Sequence, residues 1–330
     1  MKETIEYLLA GNSLDEDQAY QVMKNIGNGN FEPTQITAFI THYWYKPVTT
    51  PELIGFRKAL LELAVPLNID VSDAIDLCGT GGDGKNTFNI STLTAVVVAG
   101  AGYKVAKHGN YGVTSISGSS NVLEQLGYQF SNNSDVLEQQ LESNNLTFIH
   151  APLFHPALKE VGGIRKKLGI KTFFNMLGPL VNPAQPKFQM VGVYDLQVAR
   201  QYQYLFQQSN KQFTIVHSLD GYDEITLTGD TRIISNEFDG IKTPKDLLGE
   251  NPLNPVDLYG GKTLEEAAAI FKTVLGGKGS NSQNAVVLSN AALAIHTFNA
   301  SKPLNQCYQE AKESLLGGKA ESNFNNLING

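Results

Sequence analysis

The sequence has few cysteines and no long apolar run, and each shortage excludes a class of protein. Only two cysteines, Cys78 and Cys307, occur in 330 residues, so neither a disulfide framework nor a zinc-binding pattern is available. No stretch of about 20 apolar residues occurs, and we therefore expect no membrane-spanning helix. The opening residues MKETIEYLLAGNSLDED contain no signal-like apolar segment. We expect a cytoplasmic protein.

The charge balance is mildly acidic. Charged residues make up 17% of the chain and the formal net charge is −7. A nucleic-acid-binding protein normally presents a basic face, so we expect neither a nucleic-acid nor a membrane partner. The hydrophobic content of 42% is ordinary for a globular protein, and the length allows two domains.

Two kinds of pattern divide the chain into domains. Residues 1–69 carry helical signals, whereas from Ala74 onward short apolar strands alternate with helices. That alternation is typical of an α/β sheet that binds ligands at the carboxyl ends of its strands. We expect a small helical domain over residues 1–69, with a contribution from about 160–185. A larger α/β domain over residues 70–330 should contain a central, mostly parallel sheet flanked by helices.

Helix starts are indicated at two places in the first domain. Ser13 with Glu16 three residues later predicts a capping box. The triplet Thr50-Pro51-Glu52 combines a cap, a proline for the first helical position and an acidic residue for the first turn.

A glycine-rich loop follows the first predicted strand, Ala74–Cys78. Gly79, Gly81, Gly82 and Gly84 let a ligand approach the backbone N–H groups closely. The loop ends in NIST and leads into the apolar helix LTAVVVAGA, whose N-terminus favours an anion. The pattern therefore predicts a phosphate or pyrophosphate site.

Two familiar motifs fit this loop poorly. A dinucleotide fingerprint needs an acidic residue about 20 positions further on, where Lys104 and Lys107 stand. A Walker motif needs a hydroxyl where this chain has Asn86.

A second polar loop, KHGNYGVTSISGSS, follows the next predicted strand, Gly102–Ala106. We expect Lys107 to lie near the bound anion as a point charge. The alternative is a solvated serine-rich surface loop. The hydroxyl-bearing residues of this loop are Thr114, Ser115, Ser117, Ser119 and Ser120.

Three further features allow both a functional and a structural interpretation. Arg165 could bind a carboxylate bidentately, or it could simply complement a helix C-terminus together with the two lysines that follow it. His155 could line the same pocket, although a lone histidine is more often structural. The adjacent acids Asp223 and Glu224 could bind Mg²⁺ beside a pyrophosphate, although acids on loops are usually just solvated.

The motifs, taken in order, resemble those of the anthranilate phosphoribosyltransferase family of the tryptophan pathway. The resemblance rests on GTGGD, NIST, KHGN, SGSS, His155-Pro156-Ala157, Arg165, the run Phe174–Ala184 and the pair Asp223-Glu224. It implies a fold of the nucleoside phosphorylase and phosphoribosyltransferase type. It also implies transfer of a phosphoribosyl group from phosphoribosyl pyrophosphate to anthranilate, with Mg²⁺ as cofactor at two ions per monomer.

The resemblance also implies roles for individual residues. The donor-binding residues would be Gly79, Gly82, Asp83, Thr87, Asn89, Ile90, Ser91, Thr92, Lys107, His108, Gly109, Asn110, Ser115 and Ser119. The anthranilate-binding residues would be Gly79, Asn110, His155 and Arg165. Ser91, Asp223 and Glu224 would hold the metal, and Lys107, Asp223 and Glu224 would be catalytic.

Three positions depart from the family pattern. The family usually has an arginine and a small residue after KHGN, where this chain has Tyr111 and Gly112. One cation expected in the donor loop is thus missing. Asn121 replaces a common aspartate at a predicted helix start.

An aromatic cluster in the helical domain has two interpretations. Its members are Phe39, Tyr43, Trp44 and Tyr45. They could pack in the helical core, or they could form a subunit interface, where aromatic residues are enriched. The resemblance favours a homodimer through the helical domain.

Two other functions fit parts of the pattern. A pyrimidine nucleoside phosphorylase would share the architecture, and a non-catalytic, nucleic-acid-binding relative would share the fold. The first is disfavoured by the spacing of GTGGD to NIST and by Asp223-Glu224; the second is disfavoured by the acidic composition.

Overall fold

The computed structural model describes residues 1–112, 118–249 and 252–329. The chain divides into two compact units, each formed by two stretches of sequence. Unit 1 comprises Met1–Leu67 and Ala151–Pro183, and unit 2 comprises Asn68–His150 and Ala184–Gly330.

The helices in chain order are α1 (Lys2–Leu9), α2 (Glu16–Gly27), α3 (Pro33–Tyr45), α4 (Thr50–Glu62), α5 (Ile90–Gly100), α6 (Ser119–Gln125), α7 (Ser134–Asn144), α8 (Ala151–Phe154), α9 (Pro156–Leu168), α10 (Phe174–Leu177), α11 (Leu196–Gln207), α12 (Leu264–Leu275), α13 (Asn281–Phe298), α14 (Leu304–Leu316) and α15 (Lys319–Asn329). The strands are β1 (Ala74–Gly79), β2 (Lys104–Gly109), β3 (Leu146–His150), β4 (Phe188–Gly192), β5 (Gln212–Ser218), β6 (Thr231–Ser235) and β7 (Asp239–Lys242).

Both predicted helix starts of unit 1 are displaced in the structure. Asp15, and not Ser13, caps α2: its carboxylate accepts the Gln18 amide at 2.8 Å, and the Gln18 side chain accepts the Asp15 amide at 3.1 Å. Helix α4 is capped by Thr49, one residue before the predicted cap, in a box with Glu52. Each prediction found the right helix and the wrong cap, because several residues at these boundaries can cap.

The interior of unit 1 is largely aromatic. Phe39, Tyr43, Phe56 and Phe173 meet with ring centroids 5.0–6.1 Å apart, mostly edge to face. Such pairs stabilise a core by about 0.5–1.5 kcal/mol each beyond area burial. The buried Glu52 carboxylate is satisfied by the Tyr43 hydroxyl at 2.9 Å and the Leu14 amide at 2.9 Å.

Unit 2 is built on a seven-stranded mixed sheet in the order β3-β2-β1-β4-β5-β6-β7. The first five strands in that order pair parallel, whereas β6 and β7 add an antiparallel hairpin beside β5. The predicted class, a helical domain plus an α/β domain with a mostly parallel sheet, is confirmed. Strands β1 and β2 are neighbours and run parallel. The loops that follow them therefore leave the sheet at the same end, the carboxyl end of the strands.

Helix α5 explains why an apolar segment follows the first polar loop. Nine of its eleven residues are buried, from Ile90 to Ala99. It contacts β1, β2, α13 and α15. A helix so enclosed holds its N-terminus in a fixed place, directly after the glycine-rich loop. Among the described residues, no helix is both long and apolar enough to cross a membrane.

Candidate active site

The first glycine-rich loop runs from the end of β1 to the start of α5. Gly79 is the last residue of β1, and Asn89 is the N-cap of α5. Gly81, Gly82 and Gly84 have φ values of 59°, 73° and 73°, a left-handed region that glycine enters without steric cost. The predicted residues Ile90, Ser91 and Thr92 form the first turn of the helix.

Two carboxylates from the loop after β5 lie against this glycine-rich loop. Oδ2 of Asp223 accepts the Gly81 amide at 2.7 Å, and Oε1 of Glu224 accepts the Ser91 amide at 3.0 Å. A methyl group at Gly79 would overlap with the Asp223 carboxylate, and one at Gly192 would overlap with the Asp223 backbone. Glycine at both positions is therefore what allows the acids to reach the loop.

The acids of this site sit in an unfavourable electrostatic environment. Burial raises the pKa of Asp223 to about 7, and repulsion from Asp83 is the second largest cause of the increase. The same two effects, with Asp223 and Asp83 as the repelling charges, hold the pKa of Glu224 well above its ordinary value. Burial also raises the pKa of Asp83. The charged forms of Asp83, Asp223 and Glu224 are therefore disfavoured, and a cation nearby would relieve their repulsion.

Lys107 is a buried cation next to these acids. Its side chain is 2% exposed and its ammonium donates to the Leu77 carbonyl near the end of β1. Burial lowers the pKa of Lys107, while the nearby acids, Glu224 and Asp223 among them, oppose that shift. The ammonium therefore lies beneath the loop rather than exposed at its mouth.

The second loop starts at the end of β2, which Lys107, His108 and Gly109 complete. The His108 amide donates to the Asp76 carboxylate at 3.0 Å. The Ser119 hydroxyl and the Ser120 amide both donate to the Asn110 carbonyl at 3.3 Å. Asn110 and Ser119, predicted to bind the same donor, are thus neighbours. Thr114, Ser115 and Ser117 lie outside the described residues.

A distant segment holds the middle of the first loop. The Phe88 amide donates to the Leu258 carbonyl at 3.0 Å, and the Gly260 amide donates to the Asn86 carbonyl at 2.8 Å. Between them the predicted donor residue Thr87 forms an isolated β-bridge with Tyr259. A side chain at Gly260 would overlap with the Thr87 carbonyl. The loop is therefore partly ordered by a segment far away in the sequence.

In unit 1, Arg165 on α9 is a half-buried cation whose hydrogen-bonding capacity is incompletely satisfied. Its Nη2 donates to Oδ1 of Asn175 at 3.2 Å, and the guanidinium lies 5.5 Å from the ring centroid of Phe174. The Nε atom is buried and has no hydrogen-bond partner among the described residues. Burial lowers the Arg165 pKa to about 10. Of the described acids, none lies within ion-pair distance of Arg165, so the group can accept an external carboxylate.

His155 has a structural contact in the same unit. It is the N-cap residue of α9 and is buried, and its Nε2 lies 2.7 Å from the Val181 carbonyl. This contact ties α9 to the turn that follows α10.

Sequence reasoning missed three residues of the site in unit 2. They are Asp76, Gly192 and Gly260. A charged residue inside the apolar strand AIDLCG was a usable signal, because a buried acid needs partners. The two glycines gave none, since each is required by a residue distant in sequence.

The oxygen atoms at this site suit a hard divalent cation. Asp223, Glu224 and the Ser91 hydroxyl offer oxygen ligands, which Mg²⁺ prefers. No group of three or more His, Cys, Asp or Glu side chains suited to a metal occurs in residues 1–112, 118–249 and 252–329. Mg²⁺ usually completes its shell with water and substrate phosphates, so a phosphate-bearing ligand would be needed here.

The chain is similar to known proteins over most of its length. Residues 2–64 match the helical bundle domain of a glycosyl transferase family, and residues 71–321 match the a/b domain of that family. The chain therefore belongs to the glycosyl transferases that combine these two domains.

Individual relatives within these glycosyl transferases show which family the chain belongs to. Anthranilate phosphoribosyltransferase of Flavobacterium psychrophilum is 53% identical over 319 residues, covering 97% of this chain and 96% of the relative. The enzyme of that name from Thermus thermophilus has a similar structure, with a TM-score of 0.90 at 29% identity and 98% coverage of both chains. The chain belongs to the anthranilate phosphoribosyltransferase family.

Two structures of the Saccharomyces cerevisiae enzyme contain ligands. One, in complex with PRPP and Mg, has a TM-score of 0.89 at 27% identity, covering 98% of this chain and 96% of that one. The other, in complex with 4-fluoroanthranilate, has a TM-score of 0.86 at 25% identity, covering 98% and 95%. The predicted family is confirmed.

Proposed function

We propose that this chain transfers the phosphoribosyl group of phosphoribosyl pyrophosphate to the amine of anthranilate, releasing pyrophosphate. The observation that carries the proposal is the contact of two acids, Asp223 and Glu224, with a glycine-rich loop that itself carries Asp83 and leads into a helix N-terminus in unit 2. Family membership and the ligands of the yeast enzyme support the choice of donor and acceptor.

The donor lies along the two loops at the ends of β1 and β2. Backbone N–H groups of the glycine-rich loop face the anionic oxygens, as those of helix N-termini and glycine-rich loops do in other phosphate sites. The Gly81 and Ser91 amides are not among them, because they donate to Asp223 and Glu224. Asn110 and Ser119, which are already joined by a hydrogen bond, contact the same molecule. Besides these, the proposed donor residues are Gly82, Asp83, Thr87, Asn89, Ile90, Thr92, Lys107, His108, Gly109 and Ser115.

Asp223, Glu224 and Ser91 hold Mg²⁺, two ions per monomer, with oxygens of the donor completing the coordination. In that position the metal supplies positive charge to the departing pyrophosphate. The acids are poised for this role, because burial and mutual repulsion disfavour their charge in the metal-free protein. Lys107 adds a fixed positive charge beneath the loop.

The reaction needs charge stabilisation more than it needs a base. As the bond between C1′ and the pyrophosphate oxygen breaks, positive charge develops on the ribose and negative charge on the leaving group. Preorganised donors and cations directed at that negative charge lower the barrier. The aromatic amine of anthranilate is neutral near pH 7, so its lone pair attacks C1′ directly, and the nitrogen, positively charged once the bond has formed, then releases a proton to solvent. Close positioning supplies much of the remaining acceleration.

Arg165 receives the carboxylate of anthranilate. A guanidinium binds a carboxylate with two parallel hydrogen bonds, and this one has a buried Nε without a partner in the described part of the chain. Gly79, Asn110 and His155 complete the proposed set of anthranilate-binding residues.

The active form is a homodimer assembled through the helical unit. Trp44 and Tyr45 at the end of α3 are 69% and 91% exposed, and Leu9 on α1 is 71% exposed. Large exposed apolar side chains close together mark an interaction surface. In contrast, Phe39 and Tyr43 of the same cluster are buried in the core.

A fluorescence assay with matched omissions tests the proposed function. Anthranilate fluorescence should fall only when protein, phosphoribosyl pyrophosphate and Mg²⁺ are all present. Omitting the donor or adding a chelator should abolish the decrease. Consumption of anthranilate without the donor, or release of thymine from thymidine and phosphate instead, would refute the proposal.

A further inference from the structure

The segment that joins β2 to α6 has both of its ends fastened to one side chain. Oδ1 of Asn121 accepts the Gly112 amide at 2.9 Å and the Gly118 amide at 3.1 Å. A methyl group at Gly118 would overlap with the Gly112 backbone, so the two stretches are in direct contact there. Asn121 therefore does more than cap α6: it closes the second loop at its base.

Tyr111 provides a second attachment at the same base. Its hydroxyl donates to Oε1 of Glu124 on α6 at 2.7 Å. Its ring meets the buried ring of His150 edge to face, with centroids 4.7 Å apart. His150 itself stacks on Phe130 at 4.3 Å. Tyr111 is thus tied both to α6 and to the end of β3.

These attachments lie next to residues of the donor site. Asn110 precedes Tyr111, and its side-chain oxygen accepts the Tyr111 amide at 2.7 Å. Its carbonyl accepts the Ser119 hydroxyl and the Ser120 amide. The Ser120 hydroxyl in turn lies 2.9 Å from Nδ1 of His150. The position of Asn110 relative to Ser119 is consequently fixed by the same few contacts.

We propose that Asn121 and Tyr111 are positioning residues that hold Asn110 and Ser119 in the arrangement that binds the phosphoribosyl donor. This inference rests on the proposed function. Binding residues that are held in the right arrangement before the ligand arrives avoid the ordering cost that free residues would incur on binding. Tyr111, which departs from the family pattern, therefore contributes through packing and a hydroxyl where a cation was expected.

The decisive variants are Asn121→Ala and Asn121→Asp. Alanine removes the oxygen that joins Gly112 to Gly118, so we expect the KM for the donor to rise at least about tenfold, because Asn110 and Ser119 must then be brought into place on binding. Aspartate keeps an oxygen at the same place and should restore the donor KM to within about threefold of wild type. The KM for anthranilate should change less than the donor KM in both variants.

A matched control separates loop positioning from helix capping. Asn133 caps α7 in the same unit by accepting the Asp135 amide at 2.9 Å. Asn133→Ala should lower the Tm, as the loss of a helix cap does, and should leave the donor KM unchanged. Tyr111→Phe, which loses only the bond to Glu124, should raise the donor KM less than Tyr111→Ala.

Calorimetry keeps this inference distinct from the proposed function. Binding of phosphoribosyl pyrophosphate with Mg²⁺ is measured for the wild type, Asn121→Ala and Asn133→Ala in the full chain. Weaker binding by Asn121→Ala, with Asn133→Ala binding as the wild type does, supports the positioning role whether or not anthranilate is consumed. Equal binding by all three proteins would overturn the positioning role. A donor KM in Asn121→Asp that remains as high as in Asn121→Ala would also overturn it. A wild type that binds the donor and never consumes anthranilate would instead refute the proposed function.

Discussion

The carboxylate of Asp223 and the amide of Gly81 are joined by a hydrogen bond of 2.7 Å, although 142 residues separate them in the chain. The bond brings an acid from the loop after β5 to the glycine-rich loop after β1. Acceptance of an N–H group favours the charged carboxylate, yet burial and Asp83 outweigh it and raise the pKa to about 7. The acid is therefore held in place for a cation rather than stabilised as a free anion.

Replacing Asp223 should disable the use of magnesium. Asp223→Asn keeps an oxygen for the Gly81 amide and removes the charge, so we expect the Mg²⁺-dependent rate to fall at least about tenfold, as when a metal site loses a ligand or its support. The double variant Asp223→Asn/Glu224→Gln should lose most of the remaining rate. Initial rates against Mg²⁺ concentration provide the measurement.

Asp220→Asn is the matched control for the acid variants. Asp220 is exposed, and its carboxylate accepts the Thr228 hydroxyl at 2.5 Å within its own loop. Its neutralisation should leave the Mg²⁺ dependence as in the wild type. Full activity of Asp223→Asn would count against the metal assignment.

Replacing Arg165 should weaken acceptor binding selectively. We expect Arg165→Ala to raise the anthranilate KM well over tenfold, at least about 1.4 kcal/mol, with little change in donor affinity. Arg165→Lys should recover only part of this loss, because an ammonium cannot form the bidentate pair. Lys167→Ala, an exposed neighbour at the end of α9, is the control and should behave like the wild type. An unchanged anthranilate KM in Arg165→Ala would rule out the assignment.

Two glycine substitutions should shift stability in opposite directions. A methyl at Gly192 would overlap with the Asp223 backbone, so Gly192→Ala should lower both the Tm and the activity. Gly162 lies inside α9, and a methyl group added there would meet no atom within 4 Å. Gly162→Ala should therefore stabilise the protein by about 0.5–1 kcal/mol. Denaturant unfolding compares the two, and a Gly192→Ala protein as stable and active as the wild type would show that the acid loop adapts easily.

His150 should make the protein less stable in mild acid. Burial lowers the His150 pKa to about 4, against the opposing charge of Glu124, whereas an unfolded histidine titrates near about 6.5. Its neutral form thus contributes stability fully above about 6.5, and that contribution is lost as the pH falls toward 4. In His150→Asn the Tm should fall less between pH 7 and pH 5 than in the wild type. Parallel Tm curves for the two proteins would contradict this account.

The proposed dimer should depend on Trp44. Light scattering of the wild type should give twice the chain mass of 35.9 kDa, and Trp44→Glu should shift the protein toward the monomer, because a charge is costly to bury in an apolar interface. Tyr204→Glu is the matched control, since Tyr204 is 54% exposed on α11 in the other unit. A monomeric wild type, or a fully dimeric Trp44→Glu protein, would exclude the interface.

Local signals in the sequence predicted the architecture well. Residues adjacent in the chain are enough to predict the apolar strands, the buried helix α5 and the glycine-rich loop after β1. These features indicated the loops, the parallel sheet and the family motifs. The clustering of Asp223 with the first loop was expected from the resemblance, and the structure shows it as a direct contact.

Other features depend on partners that the sequence does not reveal. The expectation of Lys107 as a charge beside the anion could not anticipate that its ammonium would be buried against the Leu77 carbonyl. Helical spacing could not separate buried Tyr43 from exposed Trp44, because that division depends on where the other aromatic rings of the core pack. In the same way, Gly260 acquires its role only when it meets Thr87.

Unit 1 is formed by two separate stretches of the chain, and this has a consequence for synthesis on the ribosome. The Val65 amide donates to the Phe154 carbonyl at 2.7 Å, and Phe173 packs among the aromatic rings of α3 and α4. A nascent chain that has emerged only to Leu67 therefore lacks part of its own interior. At ordinary elongation rates the missing stretch follows after a delay on the order of ten seconds. During that interval the rings that Phe173 will later cover remain without that partner, so part of the apolar interior of unit 1 is incomplete until Phe173 has emerged.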